Sequence, residues 1–290
     1  MTQKMPWYEF AKNTYEIDEF DCASIFVLVG DERALVIDTG IGIGDLKGLI
    51  EKLTDKPYDV IMTHGHGDHT GGAAVFEKIY MNPKDIELFP LPPAMGMRSG
   101  YPEMIAKREH KHYPYTLPED FCKWEEGKIP EILPLHDGQE FELGNRKVTV
   151  YECPGHTPGE MVLIDDKERI LFVGDACNNN LLIPSKPGTP MFTSVEKAQK
   201  ALERIISMSD RYDVVYNGHH DYRGLGAPLG VNVLPKANEL MKAILNGTAE
   251  IREVPDPMAP GTGRTRKVAV AEDEIVNIEI SFDPAGLFEE

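Results

Sequence analysis

The chain contains few cysteines, and their spacing excludes several kinds of site. Four occur among 290 residues, and no two of them form a C-x-x-C pair. The cysteine-based zinc and redox motifs that depend on such pairs are therefore not indicated. Reduced thiols in a cytoplasmic protein are the simplest interpretation. The four are Cys22, Cys122, Cys153 and Cys177.

Positive charge is scarce as well. Lys and Arg number 30 against 48 Asp and Glu, which gives a formal net charge of −18 at pH 7. Nucleic acids and anionic membranes are bound through clustered basic residues, so neither is an expected partner. The excess of acidic residues speaks to solubility and association, and says nothing about the fold.

Long apolar runs are also lacking. No stretch approaches the roughly 18 consecutive apolar residues that a membrane-spanning helix needs. The first twenty residues carry acidic side chains and no apolar run of signal-peptide length. We therefore expect a cytoplasmic protein with one large domain or two small ones.

The apolar periodicity predicts alternating strands and helices in both halves of the chain. Strands are predicted where short runs rich in β-branched residues lie between turn signals, and helices where apolar residues recur every three or four positions. The proline-rich stretch 81–134 is predicted to be an irregular insertion that covers a site, helical at most in its middle. The predicted strands are 26–29, 34–37, 59–62, 141–150 (a hairpin), 161–164, 170–173, 213–216 and 267–282, and the predicted helices are 45–54, 71–80, 195–207 and 234–245.

One segment carries most of the chemical information. Between Thr63 and Gly72, directly after a predicted strand, the sequence reads THGHGDHTGG. Neutral imidazole is the commonest metal ligand, and side chains two positions apart on extended chain point to the same side. His64 and His66 can therefore share one ion, while Asp68 and His69 follow where the chain turns into a helix. The alternative is a polar surface loop that is histidine-rich by chance, which does not explain why four potential metal ligands lie within six positions.

This segment matches the H-x-H-x-D-H motif of the metallo-β-lactamase superfamily, and further motifs extend the resemblance over residues 25–222. Asp38 resembles the aspartate at the end of an early strand in the family, and residues 153–159 (CPGHTPG) resemble its G-H-T-x-G step. Asp175 in VGD resembles the bridging aspartate, and His219 in NGH the last histidine. An aspartate at 175, with Cys177 two residues on, resembles the hydrolase branches that include glyoxalase II and lactonases.

The resemblance implies a four-layered αββα sandwich, in which two mixed sheets pack face to face between helices. It implies a catalytic domain over residues 1–230 with the insertion at 81–134, and a C-terminal helix and hairpin over 231–290 packed on the same domain. It also implies two divalent metal ions, zinc with iron or manganese as alternatives. One would be held by His64, His66 and His156, and the other by Asp68, His69 and His219, with Asp175 bridging both.

The function implied is that of a metal-dependent hydrolase whose dinuclear centre activates water against a small ester, thioester or lactone. Asp68 is then also a catalytic residue, which orients the water and passes on its proton. Tyr222 is a second catalytic candidate, as a hydrogen-bond donor to substrate, with a packing role as the alternative. The expected partner is a small molecule, and a homodimer is left open.

Several alternatives remain open. A diiron redox protein or a phosphodiesterase shares this fold, although residues 225–290 are too few for an appended flavodoxin-like module, and phosphodiesters favour basic patches. His220 stands next to His219 as a rival ligand, and Asp38 is expected to orient a histidine rather than to bind metal. Asn178 stands where lactonases often carry tyrosine, which weakens a lactonase assignment. The 110–112 segment (HKH) is interpreted as solvated rather than as a ligand pair.

Overall fold

A computed structural model describes residues 4–89, 95–108, 120–124, 129–220, 223–256, 262–272 and 277–289 of the chain. The strands are β1 (Trp7–Ala11), β2 (Thr14–Asp18), β3 (Ser24–Val29), β4 (Ala34–Ile37), β5 (Tyr58–Ile61), β6 (Lys78–Met81), β7 (Glu131–Pro134), β8 (Glu140–Glu142), β9 (Lys147–Glu152), β10 (Met161–Asp165), β11 (Ile170–Phe172), β12 (Asn180–Leu182), β13 (Val214–Tyr216), β14 (Glu250–Pro255), β15 (Thr265–Glu272) and β16 (Asn277–Ser281). The helices are α1 (Leu46–Leu53), α2 (Gly67–Thr70), α3 (Met95–Arg108), α4 (Val195–Ile206) and α5 (Val233–Leu245).

Two mixed sheets form the centre of the molecule. The first runs β1 to β7 in chain order, and the second has the order β13-β11-β10-β9-β8. Apolar side chains of both sheets meet in one buried cluster, in which Phe26 and Ile37 of the first sheet join Val150, Leu163 and Phe172 of the second. The strands carry β-branched and aromatic residues that pack well on a pleated surface. The predicted pair of face-to-face mixed sheets is confirmed.

Helices cover the outer faces of both sheets. Apolar residues of α1, among them Leu46 and Ile50, pack with the outer face of the first sheet. Those of α4 and α5, such as Leu202 and Leu240, pack with the outer face of the second. The helix predicted at 45–54 is confirmed as α1, and Asp45 caps it by accepting a hydrogen bond from the amide of Gly48 at 3.0 Å. Among the described residues, every helix is too short or too polar to cross a lipid bilayer.

A third sheet was not predicted. It has the order β12-β16-β15-β14, so that β12 from the middle of the chain pairs in parallel with β16 of the tail. The expected hairpin over 267–282 exists as β15 and β16, and it is extended by β14 on one side and by β12 on the other. A three-residue strand such as β12 is too short to show a period of its own.

Two other expectations are wrong or incomplete. Residues 71–80 form no helix, because α2 ends before Gly71, a 3₁₀ turn follows and β6 begins at Lys78. A Cβ on Gly72 would lie 2.2 Å from the carbonyl oxygen of Thr39, so this segment follows the strand ends closely. The 81–134 insertion is less irregular than expected, since it contains a 3₁₀ helix over Pro83–Leu88, the helix α3 and the strand β7.

Candidate metal centre

The histidine-rich segment lies at the carboxyl end of β5. Backbone geometry changes at His66, which is extended and precedes the short helix α2. His64 and His66 thus belong to the extended part, while Asp68 and His69 belong to the first turn of the helix. Gly65 permits the close packing, because a Cβ there would lie 2.6 Å from the carbonyl oxygen of Asp85.

Three imidazoles converge at one point. The Nδ1 atom of His66 lies 3.1 Å from Nε2 of His64 and 2.9 Å from Nε2 of His156. His156 comes from the loop between β9 and β10, ninety residues further along the chain. We refer to His64, His66 and His156 as the first trio; its ligand atoms are close enough to hold one ion.

A second group of donors lies beside it. The Nε2 atom of His69 lies 3.3 Å from Nε2 of His219. The Oδ2 atom of Asp68 lies 4.0 Å from the first of these nitrogens and 3.8 Å from the second. His219 follows β13, so the second trio, Asp68, His69 and His219, joins the ends of strands from both central sheets.

Asp175 lies between the two trios. Its Oδ2 atom is 3.2 Å from Nε2 of His219, 3.7 Å from Nε2 of His69 and 3.6 Å from Nε2 of His156. Its Oδ1 atom is buried and has no hydrogen-bond partner within the described part of the chain. A buried carboxylate oxygen without a donor is costly unless a cation satisfies it.

The opposite nitrogens of the imidazoles show that these donors fit a metal. Nδ1–H of His69 donates to a carboxylate oxygen of Asp38 at 2.9 Å, and Nδ1–H of His156 donates to the carbonyl of Leu182 at 3.0 Å. Because these acceptors fix the proton on Nδ1, each Nε2 turns a lone pair toward the centre. Lone pairs that face each other at close range repel without a cation between them, so the residues present fit a dinuclear metal centre.

Asp38 lies behind the donors rather than among them. It has a left-handed backbone (φ 64°) just after β4. Besides His69 it accepts hydrogen bonds from the amide and the hydroxyl of Thr63, at 2.7 and 2.8 Å. Since the Thr63 hydroxyl also lies 3.1 Å from Nδ1 of His64, one carboxylate orients histidines of both trios.

Two further buried carboxylates were missed by the sequence analysis. Asp85 accepts hydrogen bonds from the amides of Gly65 and Gly159 and from the hydroxyl of Thr157. It thereby connects the loop of His64 and His66 to the loop of His156. Glu160 accepts from the amide of Asp175 at 3.0 Å. Nothing in the sequence marked Asp85, because its importance arises from contacts with segments far away in the chain.

Electrostatics divides the histidines into two classes. Burial, together with the neighbouring imidazoles, lowers the pKa of His64 well below its usual value and that of His66 to about 4. Burial acts in the same direction on His69, but the carboxylates of Asp175, Asp38 and Asp68 outweigh it and raise the pKa of this histidine. Burial would raise the pKa of Asp175, yet His219 and His69 lower it, so this carboxylate is ionised. His64 and His66 are thus neutral, whereas three carboxylates surround His69.

The other candidates are distributed as follows. Tyr222 and the 110–112 segment lie outside the described residues, so the role of Tyr222 stays a prediction. The Nε2 atom of His220 lies 2.9 Å from Asp18 and not among the converging donors. Cys177 is fully buried, and burial raises the pKa of its thiol to about 12. The Asn178 side chain accepts from the amide of Asn180, as a turn residue does.

The chain is similar in sequence to proteins of one family. A sequence model described as the metallo-beta-lactamase superfamily matches residues 18–219. The acyl-coenzyme A thioesterase MBLAC2 of Homo sapiens is 27% identical over 219 residues, which span 70% of this chain and 74% of the human protein. The hydroxyacylglutathione hydrolase GloC of Haemophilus influenzae is 31% identical over 154 residues, 50% of this chain and 61% of that protein.

Solved structures show the same fold. A metallo-beta-lactamase from Pontibacter korlensis superposes with a TM-score of 0.55 at 16% identity, over 82% of this chain and 99% of that one. A metallo-beta-lactamase family protein from Thermus thermophilus gives 0.56 at 19% identity, over 82% of each chain. Because the named relatives are hydrolases, the prediction of an enzyme of this class is confirmed. Since the family match spans more than half of its length, this chain belongs to the metallo-beta-lactamase superfamily.

Proposed function

We propose that the protein is a metal-dependent hydrolase that cleaves acyl thioesters at a dinuclear zinc centre. The position of Asp175 carries this proposal, because its Oδ2 atom lies within 3.7 Å of histidine nitrogens from both trios. An oxygen placed in this way suits a ligand shared by two cations. Imidazole and carboxylate donors suit zinc, and they also accept iron or manganese.

The two trios would each hold one ion, and Asp175 would bridge them. Bound there, the ions would supply a water nucleophile at neutral pH and polarise the substrate carbonyl. The neutral His64 and His66 at the first position and the carboxylates around His69 at the second would present unequal charge to the two ions. The substrate carbonyl oxygen, which gains negative charge during attack, is therefore expected to bind at the first position, where fewer carboxylates repel it.

Asp68 is the residue we assign to proton transfer. Burial acts to raise its pKa, but the His69, His219 and His66 side chains outweigh this and lower it, so the carboxylate is ionised and can accept a proton. Its side chain is 20% exposed, compared with 0, 11 and 12% for His69, His156 and His219. Asp68 can therefore receive the proton of an attacking water and deliver it to the departing sulfur.

The thioester class is supported by the names of the relatives. Acyl-coenzyme A and hydroxyacylglutathione are the substrates that these names print, and both are thioesters. A thiolate is a good leaving group, so attack on the carbonyl needs little assistance beyond an activated water and an oxyanion contact.

A substrate panel tests the proposal. The zinc-loaded protein would be given acyl-coenzyme A, acylglutathione, a lactone, a phosphodiester and a β-lactam, with thiol release or product formation as the measure. We expect turnover of thioesters, its loss with a chelator, and its loss in Asp175→Asn. Asp166→Asn is the matched control, because Asp166 pairs with Arg211 at the surface and belongs to neither trio. Turnover confined to phosphodiesters or β-lactams would contradict the proposed substrate class.

A further inference from the structure

A buried arginine holds the chain just before His219, the last ligand of the second trio. Asn217, two residues before this histidine, is 1% exposed. The Nε atom of Arg223 donates a hydrogen bond to Oδ1 of Asn217 at 2.8 Å, and Nη2 donates to the backbone carbonyl of the same residue at 2.9 Å. Because the guanidinium is planar and rigid, these two bonds fix the side chain and the backbone of Asn217 together.

The guanidinium is anchored in turn to the opposite sheet. Its Nη1 atom donates to Oε2 of Glu16 on β2 at 3.0 Å, and Nη2 lies 2.7 Å from the other carboxylate oxygen. The Nη2 atom also donates to the hydroxyl of Ser24, the first residue of β3, at 3.3 Å. The side chains of Arg223 and Glu16 are 2% and 0% exposed, so water does not weaken this ion pair. Arg223 therefore connects the end of β13 in the second sheet to two strands of the first.

The residue between Asn217 and His219 is fixed as well. The amide of Gly218 donates to the carbonyl of Gly174 at 2.7 Å, and the carbonyl of Gly218 accepts from the amide of Ser24 at 2.8 Å. Ser24 therefore contacts Gly218 through its amide and the Arg223 guanidinium through its hydroxyl. Arg223 thus holds the first of the two residues that lead to His219 and supports the partner of the second.

A shift of His219 would change the second trio and leave the first as it is. The Nε2 atom of His219 lies 3.3 Å from Nε2 of His69 and 3.2 Å from Oδ2 of Asp175. The three histidines of the first trio come from other loops, after β5 and between β9 and β10. Metal ligands must be held within about 0.5 Å of their productive geometry, and outer partners of ligands typically change metal affinity by about 10–100-fold.

We propose that Arg223 is a positioning residue for His219, and that it sets the affinity of the second metal position without affecting the first. It acts through Asn217 and Ser24, and touches neither metal nor substrate. The inference rests on the metal centre of the proposed function, but not on the substrate class. It gives the ion pair between Arg223 and Glu16 a role in assembling the centre, in addition to joining the two sheets.

A pair of matched arginine variants tests this. Arg223→Lys keeps a positive charge beside Glu16 but loses the rigid fork of donors. Arg146→Lys is the control, because the side chain of Arg146 is also buried, at 1% exposed, and pairs with a buried carboxylate, that of Asp165, at 2.5 Å. Arg146 likewise contacts β2, through the hydroxyl of Thr14 at 2.8 Å, but none of these partners belongs to either trio.

Three further variants make the result specific. Asn217→Ala removes the Oδ1 acceptor while leaving Arg223 paired with Glu16, and so offers a milder change if Arg223→Lys folds poorly. His219→Ala identifies which zinc equivalent belongs to the second position, and it would also be combined with Arg223→Lys. Affinities for both equivalents of Zn²⁺ would be measured by chelator competition on metal-free protein, alongside thermal unfolding of each variant.

We expect Arg223→Lys and Asn217→Ala to weaken the equivalent that His219→Ala weakens by about tenfold or more, and to leave the other within about twofold of wild type. Arg146→Lys should change neither equivalent, even where it lowers the melting temperature. Once His219 is alanine, Arg223→Lys should have no further effect on zinc affinity, because the residue through which it acts is gone.

An unchanged second equivalent in Arg223→Lys, or equal weakening of both equivalents, would overturn the inference. The same would follow if Arg146→Lys weakened the second equivalent as much, or if the effect of Arg223→Lys persisted in full beside His219→Ala, since either result indicates general destabilisation. Because Zn²⁺ alone is the probe, failure of every thioester in the substrate panel would contradict the proposed function while leaving this result standing.

Discussion

At the scale of single residues, the site depends on hydrogen bonds that fix the orientation of three of its imidazole rings. Asp38, Thr63 and the carbonyl of Leu182 occupy the Nδ1 side of three histidines, so that Nε2 faces the centre. The sequence predicted Asp38 to orient a histidine, because Asp38 resembles the strand-end aspartate of the family, and aspartates at that place orient metal-ligating histidines. The carbonyl of Leu182 could not be predicted, since a backbone acceptor has no sequence signature.

Asp38→Asn should weaken metal binding without emptying the site. An amide at this position places an NH₂ group against either the Thr63 amide or Nδ1–H of His69, so one of the two hydrogen bonds is lost. We expect zinc affinity to fall by about 10–100-fold, measured by chelator competition. Asp59→Asn serves as the control, because Asp59 pairs with Arg33 at 2.8 Å and belongs to neither trio. Unchanged zinc affinity in Asp38→Asn would show that the hydrogen bonds to Asp38 are not needed to orient the histidines for metal binding.

Glu19 should make the stability of the protein depend on pH. Burial raises the pKa of this carboxyl to about 8, although the charge of Arg98 and hydrogen bonds from the amides of the 41–43 segment act to lower it. The folded state therefore binds a proton that the unfolded state has released above about pH 4.5. The contribution of Glu19 to stability is complete below that pH and is lost as the pH rises toward 8.

A comparison with Glu19→Gln measures this effect, because glutamine at position 19 does not titrate. All other titratable groups are the same in both proteins, so their contributions cancel in the difference. The difference in melting temperature, wild type minus variant, should be larger at about pH 5.5 than at about pH 8 for metal-free protein. A difference that grows with pH would mean that the carboxylate is ionised in the folded state throughout this range.

At the scale of elements, some parts were predictable and others were not. The helices α1 and α4 follow from apolar residues on one face and from caps at Asp45 and Ser194, both of which accept amide hydrogen bonds in the structure. The helix α3 contains Gly96, Gly100 and Pro102, which disfavour a helix on propensity alone. Its formation is explained by a tertiary anchor, because the buried Arg98 guanidinium donates hydrogen bonds to the carbonyls of Ile41, Gly42 and Cys122. Local sequence does not reveal such a contact between distant segments.

The loops of the site are joined by Asp85, and removing its charge should destabilise the fold. In Asp85→Asn an NH₂ group would face the amide of Gly65, the amide of Gly159 or the hydroxyl of Thr157, and a buried donor would lose its acceptor. We expect a loss of about 2–4 kcal/mol in the free energy of unfolding, measured with urea.

Asp213→Asn is the control for this prediction. Asp213 likewise accepts hydrogen bonds, from the guanidinium of Arg169 at 2.8 Å, but its side chain is 66% exposed. Exposed pairs contribute about 0–1 kcal/mol, so the loss there should be small. Equal losses in the two variants would mean that the buried hydrogen bonds of Asp85 contribute no more to the free energy of unfolding than an exposed ion pair does.

At the scale of the whole molecule, the tail is part of the core. Side chains of β15 and β16 join those of α4, α5 and the second sheet in one buried cluster. The sequence indicated strands in the tail through alternating valines and isoleucines. It did not indicate that β16 pairs with β12, because pairing partners far apart in the chain leave no local pattern.

Matched truncations in the third sheet test this. Ile280 of β16 is fully buried, whereas Ile251 of β14 is 44% exposed. Ile280→Ala should cost about 2–5 kcal/mol of unfolding free energy, and Ile251→Ala less than about 1 kcal/mol. Similar small losses would show that the tail contributes little to the core.

The most direct test of the account is the metal content of wild type and Asp175→Ala, measured by elemental analysis after dialysis against buffer with a low zinc concentration. If Asp175 joins two trios into one centre, the wild type should retain two ions per chain and the variant one or none. A wild type with a single ion, or a variant that retains two, would contradict a shared centre bridged by this carboxylate.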